Sequence, residues 1–543
     1  MKKTINIFIL ALSFTLITTA CDEGFDELNT SKSGAISLDP VFILNNAIIS
    51  SSPTANLVYD QAIVQQWIAT NTGVLEGGNF NKVVVNNTPL NWNNYFQNVI
   101  KYTNDVITTT KDDAARANLY HMARIVQANA FMVLTDTYGD IPYTEAGGGY
   151  TAQKFFPAYE TQQSIYPKLI DELTQAVAAL GVAGKVETGD ALYAGDVAKW
   201  KRFGNSLLLR AGMRLTKADA AKAAATVTAA VGGNAANNLI VTNADNAIIR
   251  HDANFVNGIG NTVNGGEAAN FYLAGPFVNA LKGTPGNVGN TTVVDPRLTA
   301  IAIRYGGARS GVDQAARSFA NGSKLPADQF GTPMGSTDAT ADAAGALLPA
   351  GGLYGNPLAP RTGNRFSYSQ VDRNRMVKRT SPLFLVTAAQ TNLLLAEAAM
   401  RGLVGLTAAD APALFKNGIK AHMDQMVSYD PGCAISASDR DTYADGAEGT
   451  LANGSLAAAL PQIGYQYWVA SFLNGPEAWA NFRRTGFPAL APNPFSGSQV
   501  PGSFIERLTY PDAEKLVNAE NVTNAVSKLG GPDVLATKVW WAK

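Results

Sequence analysis

The sequence predicts a mainly α-helical protein in which stacked helix pairs carry long irregular loops. Two observations support this fold class. Apolar residues recur at steps of three and four over several stretches, as expected for amphipathic helices. Glycine, asparagine and proline instead dominate from about 232 to 380, where the helical periodicity is absent. With 46% hydrophobic residues, the chain has enough apolar material for a large core.

The first residues have the features of an export signal. Lys2 and Lys3 precede a mostly apolar run from Ile5 to Ile17, and three small or hydroxylated residues follow at 18–20. This arrangement predicts a signal peptide over 1–20. The run is shorter than the roughly 20 apolar residues that a membrane-spanning helix needs, and no later stretch comes close.

Cys21 directly follows the predicted cleavage site, an arrangement that resembles a bacterial lipoprotein. We therefore expect Cys21 to be acylated, with 21–38 as a polar tether to the membrane. The residue three places before such a cysteine is usually a branched apolar one, whereas in this chain it is Thr18. The acidic residues after it look like the surface-export signal of Bacteroidetes lipoproteins: Asp22, Glu23, Asp26 and Glu27. The alternative is an ordinary signal peptide cut nearby, with Cys21 incidental.

The helical N-terminal part is predicted to cover 39–231. Asp39-Pro40 is typical of a helix start, and Gly139 with Pro142 marks the end of the clearest early helix. Helices of about 20 residues separated by turns indicate a tetratricopeptide-like arrangement, although the sequence does not follow a strict 34-residue repeat. The predicted helices span 40–48, 56–70, 91–110, 112–138, 160–181 and 200–215.

The next region, 232–380, is predicted to be loop-rich and ordered, because aromatic residues are scattered through it. The C-terminal part, 381–543, returns to helix. Its predicted helices span 382–401, 407–428, 461–474 and 475–485, followed by a short helix after Pro511.

Composition and motifs exclude several functions. A formal charge of −1 with only 16% charged residues leaves no basic face for nucleic acid. The catalytic motifs of hydrolases and nucleotide-binding enzymes are absent, and the histidines lack metal-ligand spacing, so neither a metal nor a cofactor is predicted. Cys433 is interpreted as a buried residue. Glu397 with Asp410 remains a conceivable glycosidase pair, but we expect a protein that is not an enzyme.

Five collinear motifs resemble those of the SusD/RagB nutrient-binding outer-membrane lipoproteins of Bacteroidetes. The match runs from the lipidation site to the terminal Trp540-Trp541. The motifs are Asp136-Thr-Tyr-Gly-Asp-Ile-Pro-Tyr143, Trp200-Lys-Arg-Phe-Gly-Asn-Ser-Leu-Leu-Leu-Arg210, Leu393-Leu-Leu-Ala-Glu-Ala-Ala-Met-Arg-Gly402, Gly475-Pro-Glu-Ala-Trp-Ala-Asn-Phe-Arg-Arg-Thr-Gly-Phe-Pro488, and Arg507-Leu-Thr-Tyr-Pro511 with Glu514, Asn518 and Asn521. Their aromatic and charged residues are interpreted as structural.

The resemblance implies a SusD-like helical superhelix with the irregular part packed against it. It also implies a lipid-anchored protein on the outer face of the outer membrane, acting as the lid of a SusC-like TonB-dependent transporter. The expected cargo is an oligosaccharide or polysaccharide, and peptides remain an alternative. A surface glycoside hydrolase and a purely protein-binding scaffold are the other open hypotheses.

Sugar rings stack on aromatic side chains, and their hydroxyls need amide and carboxylate partners. Aromatic residues in the loops and in the early helix are therefore the candidate ligand contacts. They are Phe80, Trp92, Tyr95, Tyr272, Tyr305, Tyr354 and Tyr368.

Overall fold

Helices dominate the part of the chain that the structure, a computed structural model, describes. Those residues are 38–52, 59–71, 76–149, 152–181, 184–265, 271–305, 322–348 and 364–543. Cys21 and Tyr354, both singled out above, lie outside them. Pro40–Lys543 forms one compact unit. The predicted mainly α-helical class is confirmed.

The N-terminal helices run from residue 40 to residue 231. A π-helix, Tyr95–Ile100, continues α4 directly into α5. The helices are α1 (Pro40–Ser50), α2 (Asp60–Ile63), α3 (Glu76–Phe80), α4 (Leu90–Asn94), α5 (Lys101–Thr110), α6 (Ala117–Tyr138), α7 (Gln162–Ala179), α8 (Val197–Arg214) and α9 (Ala220–Val231).

Caps explain where the long N-terminal helices begin and end. The side chains of Thr161, Asp196 and Asp219 accept hydrogen bonds from backbone N–H groups three residues on, at the starts of α7, α8 and α9. Gly232 ends α9 in the left-handed conformation, which glycine adopts without a steric penalty.

The described middle of the chain contains short elements between irregular segments. Its described helices are at most eight residues long. They are α10 (Ala235–Asn238), α11 (Gly258–Val263), α12 (Gly275–Leu281), α13 (Arg297–Ile301) and α14 (Asp338–Gly345).

Longer helices return in the C-terminal part. α19 matches the predicted 475–485, and Gly486 ends it in the left-handed conformation as expected. The helices are α15 (Ala388–Met400), α16 (Ala411–Gln425), α17 (Ala437–Asp445), α18 (Leu456–Ala470), α19 (Gly475–Thr485), α20 (Asp512–Val517) and α21 (Ala519–Lys528).

Among the described residues, eight short strands pair antiparallel in four two-stranded ribbons, each joining segments separated in sequence. In the first, Trp67 pairs with Leu273, and in the third, Ala247 pairs with Val386. The pairs are β1 (Trp67–Ala69) with β5 (Phe271–Leu273), β2 (Ile141–Pro142) with β3 (Tyr159–Glu160), β4 (Ala247–Ile249) with β8 (Leu383–Val386), and β6 (Ala302–Ile303) with β7 (Gln370–Val371).

Two helix predictions are wrong in part. The predicted helix 56–70 contains only α2 among its described residues and then β1, and the predicted helix 382–401 begins with β8 before α15. In both places consecutive apolar residues are buried on both faces of a strand, as in Leu383–Val386. Short apolar runs of this kind have no period that distinguishes helix from strand.

Consecutive long helices pack on one another, from α5 through α6, α7 and α8 to α9, and α15 packs on both α16 and α18. The two groups meet where α8 contacts α15 and α6 contacts α19. Fully buried tryptophans fill the resulting core, including Trp200, Trp468 and Trp479.

Three of the five sequence motifs meet in one buried charge network. Arg214 on α8 is bound to Asp136 on α6 at 3.2 Å and to Glu477 on α19 at 2.5 Å. Arg210 contacts the same Glu477 oxygen at 3.1 Å. Burial alone would raise the pKa of Glu477, but the guanidinium groups of Arg210 and Arg214 outweigh it and lower that pKa. The carboxylate stays charged and ties three helices together.

A second buried pair fixes α15 to α19. Both carboxylate oxygens of Glu397 accept hydrogen bonds from Arg484 at 2.6 Å, and Arg401 adds a third contact at 2.8 Å. Burial would raise the pKa of Glu397, but the two arginines lower it. The structural interpretation of these motifs is therefore supported by their contacts.

Candidate functional site

A cavity of about 710 Å³ opens between the α4–α5 segment and the chain that leaves β2, a volume typical of small-molecule sites. We call it the aromatic cavity. It is lined by Trp92, Asn93, Phe96, Gln97, Lys101, Tyr102, Asn104, Asp105, Pro142, Ala146, Gly147, Gly149, Lys154, Phe155, Pro157 and Glu514.

One face of the early helical segment supplies half of these residues. Trp92 and Phe96, like Asn93 and Gln97, are four residues apart, so each pair lies on the same side of the helix. The segment includes the π-helix Tyr95–Ile100. Such insertions are frequent at functional sites because they re-aim side chains along an otherwise regular helix.

Trp92 forms the rigid back of the aromatic cavity. Its ring stacks on Tyr159 with centroids 5.9 Å apart and planes at 22°, and meets Tyr138 edge-on at 5.2 Å. Its backbone N–H donates to the Tyr138 hydroxyl at 3.2 Å, and that hydroxyl donates to the Thr88 carbonyl. Only 5% of Trp92 is exposed. The indole is thus held in a fixed orientation before any ligand arrives.

Polar side chains stand beside these rings without internal partners. Within the described part of the chain, Asn93, Gln97 and Asp105 make no side-chain hydrogen bond. The Lys101 ammonium lies 5.4 Å from the centre of the Tyr102 ring. Amide, carboxylate and ammonium groups next to aromatic faces are the chemistry that a sugar's hydroxyls and C–H faces require.

Glu514 belongs to α20 and closes the cavity from the far end of the sequence. Its Oε2 accepts a hydrogen bond from the Tyr159 hydroxyl at 3.0 Å. Burial first, and then the charge of Glu514, raise the pKa of Tyr159 well above its usual value. Tyr159 therefore stays protonated and continues to donate, which fixes the ring on which Trp92 stacks.

Of the sequence-predicted ligand residues, Trp92 alone among the described ones lines the aromatic cavity. Phe80 is 2% exposed and stacks on Phe495 with centroids 4.4 Å apart. Tyr95 is 3% exposed and points into the core, where burial, followed by the charge of Asp60, raises its pKa. These two rings present no face to the cavity.

The predicted loop tyrosines are also buried. Tyr272 and Tyr305 have no exposed surface, and Tyr368 is 2% exposed. Tyr272 and Tyr368 pack with Ala341 in one small apolar cluster, and Tyr305 packs with Ile303 in another. None of these three tyrosines lines the aromatic cavity, so the proposal below rests on other residues.

Sequence reasoning missed Phe96, Tyr102, Phe155 and Glu514 as cavity residues. Phe96 could have been found, since it repeats Trp92 one helical turn later. The adjacent rings Phe155-Phe156, set between glycines and Pro157, were a second available sign. No local sequence pattern pointed to Glu514, because it lies 355 positions from its partner Tyr159.

Alternative chemistries find little support among the described residues. Glu397 is buried on arginines, whereas Asp410 caps Thr407 at the surface, so they do not form a glycosidase pair. His422 is fully packed against Arg297, and Cys433 is buried. In the described ranges, no group of three or more histidine, cysteine or acidic side chains is arranged to hold a metal.

No helix in the described segments combines the length and the apolar composition that crossing a membrane takes.

Comparison with known families gives a match over most of the chain. Residues 32–511 match the family model SusD-like_2, described as "Starch-binding associating with outer membrane". Among proteins of curated function, none matches the chain in sequence.

Solved structures resemble the whole described body. A chitin-binding protein is 27% identical, with a TM-score of 0.75 over 93% of this chain and 100% of its own. A Bacteroidetes AC2a SusD-like protein is 25% identical, with a TM-score of 0.76 over the same shares. A SusD homologue from Bacteroides uniformis is 23% identical, with a TM-score of 0.70 over 93% and 98%. The predicted tetratricopeptide-like scaffold is confirmed by these matches.

Proposed function

Because this chain belongs to the SusD-like family of outer-membrane-associated proteins, we propose that it captures an oligosaccharide in its aromatic cavity. The observation that carries the proposal is the cavity itself: a fixed indole, Trp92, stands beside unpaired amide and carboxylate groups. Binding there is capture without bond cleavage. The cargo then passes to a SusC-like TonB-dependent transporter, for which this protein is the lid.

The chemistry of the cavity favours a neutral glycan. Among its lining residues, Lys101 and Lys154 balance Asp105 and Glu514, so there is no excess charge to select an acidic or basic ligand. Ala146, Pro142 and Pro157 add small apolar surfaces suited to the methyl group of an N-acetylated sugar. Because one structural relative is a chitin-binding protein, N-acetylglucosamine oligomers are the first ligands to test, followed by starch oligomers.

Attachment to the membrane is proposed through lipid on Cys21, on the outer face of the outer membrane. The export features at the start of the chain and the outer-membrane association of the family support this placement. Metabolic labelling with a fatty-acid analogue tests it: label in the natural protein and none in Cys21→Ala is the expected result.

Calorimetric titration of the soluble form, residues 22–543, tests the binding function. Panels of chitin oligomers, starch oligomers and peptides are titrated, and each glycan's length is measured afterwards. We expect micromolar to millimolar binding of one glycan, about −8 to −4 kcal/mol, with its length unchanged. Shortened chains would instead indicate a glycoside hydrolase, and heat from peptides alone would move the protein to the peptide-importing branch.

A double variant tests whether that binding takes place in the aromatic cavity. Asn93→Ala with Gln97→Ala removes two exposed amides that make no hydrogen bond within the described residues, so the fold is not disturbed. We expect weaker glycan binding with an unchanged thermal midpoint. Unchanged affinity would place the ligand elsewhere.

A further inference from the structure

One motif near the C-terminus holds the aromatic cavity's outer wall, a role that the buried networks do not explain. We call 152–158 the wall segment. Asn518, between α20 and α21, donates its amide hydrogen to the Pro157 carbonyl at 3.0 Å. Asn521 donates to the Phe156 carbonyl at 3.2 Å and to the Asn518 side-chain oxygen at 2.8 Å. The two asparagines thus form hydrogen bonds with consecutive carbonyl groups of the wall segment.

The wall segment itself has no regular secondary structure before β3 begins. At its base, the Glu145 carboxylate accepts a hydrogen bond from the Ala158 N–H at 3.0 Å and pairs with the Lys154 ammonium at 3.0 Å. These two contacts lower the pKa of Glu145 below its usual value, the hydrogen bond from Ala158 first. These side-chain contacts, together with backbone hydrogen bonds from Ala152 and Lys154 to the Gly148 carbonyl, hold the wall segment in place without a helix or sheet.

Two large rings on the wall segment are left in solvent. Phe155 is 67% exposed and Phe156 is 60% exposed. Phe155 lines the aromatic cavity, whereas Phe156 does not. The exposed Phe155 ring is therefore available to a ligand in the aromatic cavity.

We propose that Phe155 is a second stacking platform in the aromatic cavity, in addition to Trp92, and that Asn518 and Asn521 are the positioning residues that hold it there. This inference rests on the proposed function, because it names the class of glycan that the aromatic cavity selects. A ligand that uses both platforms is a linear saccharide of several rings. A sugar too short to reach Phe155 gains nothing from it.

The test is the gain in affinity from a short to a long oligomer, measured by calorimetry. The probes are the dimer and the hexamer of N-acetylglucosamine, with the corresponding starch oligomers in parallel. Phe155→Ala is expected to lower hexamer affinity roughly tenfold, about 1.4 kcal/mol, while dimer affinity stays the same. Phe156→Ala is the matched control, since that ring is as exposed but lies outside the cavity, and it leaves both affinities unchanged.

Asn521→Ala tests the positioning role. We expect a smaller loss in the same direction, confined to the hexamer, with an unchanged thermal midpoint. A merely structural role would lower both affinities together, and so would contradict the proposal.

The outcomes also separate this inference from the function beneath it. If the unaltered protein binds neither oligomer series, glycan capture fails and the inference fails with it. If that protein binds but Phe155→Ala affects dimer and hexamer equally, or affects neither, then only the role of Phe155 is overturned.

Discussion

The buried charge network and the aromatic cavity contain similar residue types but use them in opposite ways. In the network, Asp136 and Glu477 have their oxygens occupied by arginine, tyrosine and tryptophan donors. In the aromatic cavity, Asn93 and Gln97 have no partner among the described residues. Saturated polar groups stabilise a scaffold, whereas unsaturated ones beside a rigid ring are available to a ligand.

This difference explains why most residues of the family motifs are not those we assign to the cargo. Glu514, Asn518 and Asn521 of the last motif are the exceptions. Asp136, Arg210, Glu397 and Glu477 all lie in recognisable motifs, and all are buried in ion pairs that join helices. Replacing any one leaves a buried charge behind, which is costly. The exposed amides of the cavity carry no such constraint.

The largest expected effect comes from breaking the charge network. Glu477→Gln removes the charge that Arg210 and Arg214 share, and we expect the free energy of unfolding to fall by about 3–5 kcal/mol. Urea denaturation at neutral pH measures it. The control is Asp424→Asn at the exposed ion pair with Arg440, where we expect a far smaller change. Equal effects from the two variants would contradict the distinction.

The next effect concerns Asp60, a buried carboxylate that accepts one hydrogen bond, from Asn91 at 3.3 Å. Burial raises its pKa from 3.8 to about 7. The folded state then holds the proton more tightly than the unfolded state does. The contribution of Asp60 to the free energy of unfolding is therefore fully present below pH 3.8 and is lost as the pH rises through about 7.

Asp60→Asn removes that titration. We expect the variant to gain stability over the unaltered protein as the pH rises from about 4 to about 8, by roughly 1–4 kcal/mol. Thermal unfolding across this range measures the difference. A difference that does not change with pH would show that Asp60 does not titrate as its burial implies.

In the aromatic cavity, Trp92→Ala is expected to weaken glycan binding roughly 10- to 100-fold, about 1.4–2.8 kcal/mol, since the stacking platform is lost. Titration calorimetry measures it, and circular dichroism confirms that the variant is folded. Phe255→Ala, an exposed ring outside the cavity lining, serves as the control. If both variants bind as the unaltered protein does, the ligand does not use Trp92.

The smallest expected effect is at the buried loop tyrosines. Tyr305→Phe and Tyr368→Phe remove only hydroxyl groups from rings that have almost no exposed surface. We expect glycan affinity to stay within error of that of the unaltered protein. A clear loss in the same titration would restore these tyrosines as ligand contacts.

Much of the fold could be predicted from the sequence, because long amphipathic helices are recognisable from the regular spacing of their apolar residues. The stripe of Leu119, Ala123 and Val126 located α6, and Gly486 located the end of α19. Leu383–Val386 was predicted as helix and is β8, since a fully buried strand has no alternation to show.

The site was harder to predict, because exposure depends on distant partners. Tyr272 and Tyr305 stand in glycine- and asparagine-rich sequence that suggests open loops, yet small apolar clusters bury them. Trp92, predicted as a ligand contact, does line the aromatic cavity. Contacts such as Tyr159 with Glu514 leave no local pattern to find.

The most direct test of the central claim is a crystal structure of the complex with the glycan that titration identifies. The account predicts sugar rings in the aromatic cavity, one of them stacked on Trp92 and hydroxyls bound by Asn93 or Gln97. Density for the glycan against the surface around Tyr305 and Tyr368, with the aromatic cavity empty, would contradict it.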